Sequence, residues 1–154
     1  MNKQSEHRSI KMLSLLVISH NDRIFNKQGF QSLIMNETQF PINSHFAYHA
    51  HVYFDQQTIT FAAALCEEAG RRFNVHIGRV HEKLVGPHPK WSCQIKFTSK
   101  EFDELVHWLD QNRDGLSVLV HADTGNDLED HTLHAYWLGK SLELNLSLFS
   151  AEKQ

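Results

Sequence analysis

Apolar and polar side chains alternate strictly through the segment YHAHVYFD, residues 48–55. One set of alternate positions holds Tyr48, Ala50, Val52 and Phe54, and the other holds His49, His51 and Tyr53. A period of two residues is typical of a half-buried β-strand. The apolar set therefore predicts a face packed against a core, and the histidines are expected on the opposite, open face. The strand rise of ~3.3 Å per residue puts His49 and His51 about 6.5 Å apart.

Apolar patterns in the rest of the chain predict further helices and strands. Helical periodicity predicts one helix at Thr58–Arg72. A second helix is predicted after the capping-box-like segment TSKE at 98–101, through Phe102, Leu105, Val106 and Leu109, and is stopped by residues 112–115. Further strands are predicted at Asn74–His81, Trp91–Thr98, Leu116–His121 and Leu142–Phe149, with a short helical stretch around Thr132–Leu138.

The order of these elements is strand–helix–strand twice over, followed by a short helix and a last strand. Two such split βαβ units predict an α+β, ferredoxin-like sandwich, in which an antiparallel sheet carries its helices on one face. A sheet with one open face usually covers that face with a partner. We therefore expect a homodimer, arranged as a dimeric α+β barrel.

A shift in charge divides the chain near residue 44. Of the 15 Lys and Arg residues five precede residue 45, as do three of the 18 Asp and Glu residues, which leaves ten and fifteen for 45–154. We predict one domain at 45–150, and an N-terminal extension at 1–44 that is poorly ordered or belongs to an over-extended reading frame starting before Met35. The apolar run Met12–Ser19 is short, and polar residues 20–23 follow it where a small-residue cleavage site would lie, so we do not expect a signal peptide.

Composition narrows the classes of function. The 154-residue chain has a net charge of -3, which gives no reason to expect nucleic acid or an anionic membrane as a partner. No apolar run reaches the ~20 residues that span a bilayer. Cys66 and Cys93 have no metal-type spacing, so we predict reduced core thiols in a cytoplasmic protein.

Histidine is unusually abundant, with 12 residues, and several occupy positions suited to a site. His49 and His51 share the open face of the first strand, where the alternative is a pair of solvated side chains. His88 is held between Pro87 and Pro89, whose rings restrict the backbone. Other candidates are His121 at a strand end, His131 after Asp130, and the pair Arg79 and His81, which share a strand face.

The remaining histidines are predicted to lie elsewhere. His7, His20, His45 and His107 are expected at the surface, His134 on a helix face, and His76 on the strand face opposite that of His81. HExxH, CxxC, Walker A and GxGxxG motifs are all absent. Histidines with neighbouring carboxylates form the ligand set that suits Fe(II) or Zn(II).

Three segments, YHAHVYFD, GRVHEKLVGPHPKW with QIKF, and NRDGLSVLVHADTGNDLEDHTLHAYWLGKSLELNL, together resemble the DOPA 4,5-dioxygenase family. The resemblance runs from about His45 to Phe149. It implies a ferredoxin-like dimer that uses non-haem Fe(II) and O2 for extradiol 4,5-cleavage of DOPA or a related catechol. We expect His49, His51 and His121 as metal ligands, with His131 as the substitute.

The other roles that we assign on this resemblance belong to nearby polar residues. His88 or His81 is expected as the acid/base, Arg79 as the partner of a substrate carboxylate, and Asp130 or Asp127 as a carboxylate ligand if iron requires one. Two alternatives remain open at this stage. One is a Zn(II) enzyme of another class, and the other is a non-catalytic dimeric module that binds a small aromatic ligand.

Overall fold

The computed structural model describes residues 41–153, which lie within one compact unit, Phe40–Gln154. The predicted boundary at residue 44 therefore lies at the margin of the described residues, and the extension itself lies almost wholly outside them. Within residues 41–153, no helix is both long enough and apolar enough to cross a bilayer.

The described residues form five strands, three α-helices and a C-terminal 3-10 helix. The strands are β1 (Ala47–Phe54), β2 (His76–His81), β3 (Trp91–Thr98), β4 (Val118–Ala122) and β5 (Ala135–Leu138). The helices are α1 (Ile59–Arg72), α2 (Phe102–Asn112), the single-turn α3 (Asp127–Asp130) and the 3-10 helix (Leu146–Lys153).

The five strands form one sheet in the order β2-β3-β1-β4-β5, and each neighbouring pair is antiparallel. The first four strands with α1 and α2 have the ferredoxin-like arrangement of two split βαβ units. This confirms the predicted α+β fold class, and β5 extends the sheet beyond that unit.

The hydrophobic core lies between α1, α2 and one face of the sheet. In β1, Ala50 and Val52 are fully buried against the stripes that α1 and α2 turn toward the sheet. The predicted assignment of the two faces of β1 is therefore confirmed. Cys66 and Cys93 also lie in this core as free thiols.

Local signals explain where α2 begins and ends. The backbone N and Oγ1 of Thr98 donate to Glu101 Oε2 at 3.0 and 2.6 Å, which fixes the turn that leads into the helix. After the helix, Gly115 has a φ of 82°, a left-handed conformation that glycine adopts without a steric penalty.

Two predicted elements near the C-terminus are wrong. The stretch predicted as helical around Thr132–Leu138 is a turn followed by β5, in which aromatic Tyr136 and Trp137 pair with β4. Because β5 occupies the outer edge of β4, the segment predicted as a last strand at Leu142–Phe149 does not join the sheet there. That segment crosses near Pro87, whose carbonyl accepts from Asn145 N at 2.9 Å, and then enters the 3-10 helix.

Candidate metal centre

Three histidines meet on the open face where β1 and β4 run side by side. The register places His49 directly opposite His121, with ring centroids 5.2 Å apart. His51, two residues along β1, has its ring centroid 6.1 Å from that of His49 and its Nε2 3.1 Å from His121 Nε2. Alternation in two paired strands thus brings together the three predicted metal ligands.

The loop between β2 and β3 supplies His88 to the same place. Pro87 and His88 are buried, and the ring of His88 lies 3.9 Å from that of His51, centroid to centroid. His88 Nδ1 lies 2.7 Å from the hydroxyl of buried Tyr53. A backbone restricted by two prolines and a hydrogen bond to Tyr53 together fix this imidazole.

His131 reaches the site from the turn that follows α3. Its ring centroid lies 4.1 Å from that of His121 and 5.1 Å from that of Phe149. The turn is anchored by buried Asp130, which accepts from Thr124 N at 2.9 Å and from Thr124 Oγ1 at 2.7 Å. Asp130 therefore anchors the preceding loop, while Asn126 caps α3.

These side chains line a cavity of about 520 Å³, within the usual range for small-molecule sites. Its lining combines histidines, acidic residues, the 86–88 loop and the C-terminal segment: His49, His51, Gly86, Pro87, His88, Gln94, His121, Asp123, Asp127, Asp130, His131, Leu148 and Phe149. The structure thus brings together all four predicted metal-site histidines, His88 and the two predicted carboxylates.

Arg79 and His81, by contrast, are not among the residues that line the cavity. A register shift between Ile77 and Val80 changes the side-chain alternation along β2. His76 and His81 consequently pair with Lys96 and Ser92, which lie on the same face of β3, so the prediction that they lie on opposite faces is wrong. The geometry gives Arg79 and His81 no support as site residues.

Hydrogen bonds to the outer ring nitrogens determine which nitrogen each imidazole presents to the cavity. His121 Nδ1 lies 2.6 Å from the carbonyl of Ala122, and His131 Nδ1 lies 2.8 Å from the carbonyl of Asp127. A carbonyl only accepts, so both Nδ1 atoms carry the proton in the neutral ring. Each Nε2 then has its lone pair free, as a metal ligand requires.

His49 has a different outer partner and an unsatisfied inner atom. The Gln94 amide nitrogen lies 3.1 Å from His49 Nδ1. His49 Nε2 is buried without a hydrogen bond, because its 3.2 Å approach to Asp123 Oδ2 lacks hydrogen-bond geometry. A half-turn of the Gln94 amide would make its oxygen the acceptor for Nδ1–H and leave Nε2 as a lone-pair donor to a cation.

Two overlapping histidine groups have ligand atoms close enough to share one ion. They are His49, His51 and His121, and His51, His88 and His131; in each group these atoms lie within 4.8 Å of one another. Ligands held ~2.1 Å from an ion at right angles to each other would be ~3 Å apart. The Nε2 atoms of His51 and His121 already have that separation, so the donor set fits a divalent cation after small adjustments.

Burial favours the neutral form of four of these imidazoles. Desolvation is the main reason that the pKa of His88 is lowered to about 4 and that of His121 to about 3. It also lowers the pKa of His51 well below 6.5. Neighbouring histidines act in the same direction. For His49, burial lowers the pKa most, while the Asp123 carboxylate raises it and Lys96 lowers it. Neutral imidazole is the form that binds metals.

Several cavity residues were missed from the sequence. Gln94 and Asp123 become neighbours of His49 only through strand pairing, and register is not visible in a single strand. Leu148 and Phe149 were placed in a sheet strand, whereas they line the cavity. A signal was available for Gln94, because QIKF alternates and puts Gln94 opposite in parity to the core residues Cys93 and Ile95.

Comparisons with known proteins give concordant matches. A family model described as the Dopa 4,5-dioxygenase family matches residues 48–148. An uncharacterized 21.2 kDa protein from Botryotinia fuckeliana is 36% identical over 120 residues, which cover 70% of this chain and 66% of that protein. A DOPA 4,5-dioxygenase from Amanita muscaria is 34% identical over 109 residues, covering 65% and 48%. The chain thus spans between about half and about two thirds of these curated relatives.

The solved structures also include a match. A provisionally named dioxygenase from Nostoc punctiforme superposes with a TM-score of 0.67 at 43% identity, and the match covers 70% of this chain and 93% of that one.

Proposed function

This chain belongs to the Dopa 4,5-dioxygenase family, and from that premise we propose that it is a non-haem Fe(II)-dependent extradiol dioxygenase that cleaves DOPA or a related catechol with O2. Zn(II) is the alternative metal. One observation carries the proposal: histidine ligand atoms within 4.8 Å of one another line a cavity of about 520 Å³. Such a cavity is large enough for one aromatic ring beside a metal.

His49, His51 and His121 are the proposed ligands. His121 is supported by its Nδ1 bond to Ala122, which leaves Nε2 free, and His51 Nε2 lies 3.1 Å from that atom. His49 is supported by its unsatisfied Nε2 and by the Gln94 amide, which lies 3.1 Å from Nδ1 and would orient the ring. His131 remains the substitute, since its Nε2 is also free.

His88 is proposed as the acid/base instead of a ligand. Burial raises the pKa of Tyr53, so the phenol keeps its proton. Within the described part of the chain His88 Nδ1 is the one hydrogen-bond partner of this hydroxyl, so Tyr53 donates to Nδ1. Neutral His88 then carries its own proton on Nε2. That N–H would donate a hydrogen bond to a bound catechol or oxygen ligand and would not bind a cation; a proton that His88 passes on would be one that it has first taken from the catechol.

Bound Fe(II) would supply the chemistry that the side chains lack, by lowering the pKa of a catechol hydroxyl and holding O2 beside the ring. The chain's own contribution is positioning and shielding. The hydrogen bond from buried Tyr53 would fix the ring of His88, and Pro87, Leu148 and Phe149 add apolar surface to the lining of the cavity. Exclusion of water strengthens each polar contact within the cavity.

A homodimer is part of the same proposal. The outer edges of β2 and β5 have no strand partner within residues 41–153. Large apolar side chains such as Leu84 and Leu133 are 64% and 73% exposed. Free edges and exposed apolar groups are features that a partner subunit commonly covers. Light scattering after size exclusion tests this point, and a monomeric mass at micromolar concentration would contradict it.

The experiment that tests the activity is anaerobic loading with Fe(II), addition of DOPA or caffeate, and admission of air. We expect stoichiometric O2 uptake and a product that absorbs in the visible range. His107→Ala should show the same O2 uptake as the unmodified protein, because His107 lies exposed on α2, away from the cavity. Turnover with Zn(II) and no O2 uptake would indicate another enzyme class. Tight catechol binding without turnover under any metal would indicate a binding module.

A further inference from the structure

The cavity is charged asymmetrically. Asp123, Asp127 and Asp130 line it, and the part of the chain that the structure describes contributes no Lys or Arg to its lining. Asp130 is already engaged by two bonds from Thr124, whereas Asp123 is about half exposed. The available negative charge therefore lies beside His49, whose Nε2 is 3.2 Å from Asp123 Oδ2.

A positive charge lies on the other side of the same histidine. Lys96 of β3 pairs directly with His49 in the register of the sheet, so both side chains leave the open face as neighbours. Lys96 is exposed, and it forms no ion pair with any residue between 41 and 153. His121 is the opposite neighbour of His49, on β4. Lys96, His49 and His121 thus form one row across the sheet that runs from the free ammonium to the proposed metal ligands.

We propose that Lys96 and Asp123 determine specificity by binding the charged ends of an amino-acid side chain on the catechol substrate. This inference rests on the proposed function, since it concerns the same cavity. Lys96 would pair with the α-carboxylate and Asp123 with the α-ammonium, while the catechol ring occupies the histidine end. A zwitterionic catechol would then be preferred over one with a lone carboxylate and over one with a lone ammonium.

The assignment replaces the partner expected from the sequence. Neither Arg79, which was predicted to meet a substrate carboxylate, nor Lys96 lines the cavity, but Lys96 pairs directly with the cavity residue His49, whereas Arg79 lies on β2, at the edge of the sheet. A lysine is suited to this place because its ammonium is a point charge on a flexible stem and does not require a planar fork of acceptors.

The test compares three catechols: DOPA, dopamine and 3,4-dihydroxyphenylpropionate. With Lys96→Met, we expect the ratio of kcat/KM for DOPA to that for dopamine to fall about fivefold, as for a partly exposed charge-assisted contact. With Asp123→Asn, we expect the ratio of kcat/KM for DOPA to that for 3,4-dihydroxyphenylpropionate to fall by a similar factor. Lys96→Arg should restore the first ratio.

Matched controls are Lys100→Met and Asp103→Asn, which change exposed charges at the start of α2. The inference is overturned if either ratio moves less than about twofold, or moves as much in its control. The same ratios are measured as binding constants by calorimetry without oxygen. Absence of O2 uptake with all three catechols would therefore refute the proposed reaction, while the binding ratios would still decide whether Lys96 and Asp123 select the charged ends.

Discussion

At the centre of β1, the two faces of the sheet are shielded from water to a similar degree but serve different purposes. Along β1, Ala50 and Val52 are 0% exposed beneath the helices, and His51 on the other face is only 6% exposed. Apolar groups gain stability when they leave water. Buried imidazoles lose hydration and need partners. One strand therefore contributes to the stability of the fold with one set of alternate residues and to a binding site with the other set.

The histidine face holds a buried polar atom without a partner, since His49 Nε2 makes no hydrogen bond within residues 41–153. His51 Nε2 and His121 Nε2 lie 3.1 Å apart, and His121 keeps its proton on the opposite nitrogen. That contact is favourable only if His51 carries its proton on Nε2, or if the two Nε2 atoms share a cation. Variants on the two faces should therefore separate metal binding from folding, and the following predictions test that separation in order of decreasing effect.

His51→Ala should abolish metal binding and leave the fold intact. Loss of a residue that only hydrogen-bonds a metal ligand costs about 10- to 100-fold in metal affinity. Loss of the central ligand His51 should therefore cost more than ~100-fold, with a corresponding loss of activity. The free energy of unfolding of the metal-free protein should stay within about 1 kcal/mol, because His51 lies outside the helix-packed core. Metal analysis and chemical denaturation measure the two effects. Unfolding of the variant would mean that His51 is structural.

Acidification should destabilise the metal-free protein. The pKa values of His51, His88 and His121 are lowered in the folded state, so the unfolded chain binds more protons between 6.5 and about 4 for His88, or about 3 for His121. Stability is thus fully present above pH 6.5 and falls as the pH drops through this window. The free energy of unfolding falls by up to ~1.4 kcal/mol per pH unit for each histidine, or by about 4 kcal/mol per pH unit for all three.

Denaturant titrations at pH 7.5 and 5.5 measure this loss. Saturating Zn(II) at pH 7.5 should raise the midpoint, because a ligand that binds only the folded state stabilises it. Equal stability of the metal-free protein at the two pH values would show that the three rings are not held neutral by the fold.

Ile95→Ala should destabilise the fold and leave metal binding unchanged, the reverse of what is expected for His51→Ala. Ile95 is fully buried on the core face of β3, and truncation of a buried isoleucine costs about 2–5 kcal/mol. Metal bound per folded molecule should not change. The matched control is Ile42→Ala, because Ile42 is 66% exposed. A loss of metal in the folded fraction of the Ile95 variant would show that the two faces are not independent.

His88→Gln should lower kcat about 100-fold while the protein keeps its metal, as expected for removal of a general acid. Tyr53→Phe should cause a smaller loss of the same kind, because the phenol positions His88 through the 2.7 Å bond. Stopped-flow kinetics and metal analysis give the two readouts. If His88→Gln releases the metal, the group of His51, His88 and His131 holds it instead.

Local periodicity and the family resemblance were enough to predict the fold class and the five histidines that line the cavity. Strict alternation at 48–55 fixed the face of His49 and His51 because a strand with one buried face has only one compatible orientation. The register shift in β2 had a signal in the sequence, because Gly78 lies inside the strand and an isolated strand glycine often marks a bulge; the shift changed the position of His81. The alternating leucines at 142–148 resembled a strand, but β5 had already occupied the available edge of β4.

Long-range pairing accounts for the other residues that the sequence did not reveal. Lys96 and Gln94 contact or flank His49 and His51 only because β3 runs antiparallel to β1 in one particular register. Asp123 follows His121 in sequence, but its approach to His49 depends on the pairing of β4 with β1. Such contacts depend on tertiary packing, which no short window of sequence contains.

The most direct test of the central claim is a crystal structure of Fe(II)-loaded protein with anomalous diffraction recorded at the iron edge. One peak per chain is expected in the cavity, ~2.1 Å from the Nε2 atoms of His49, His51 and His121. His88 should lie beyond bonding distance, with its hydrogen bond to Tyr53 intact. A peak bound by His88 and His131, or an iron bound outside the cavity, would contradict the account.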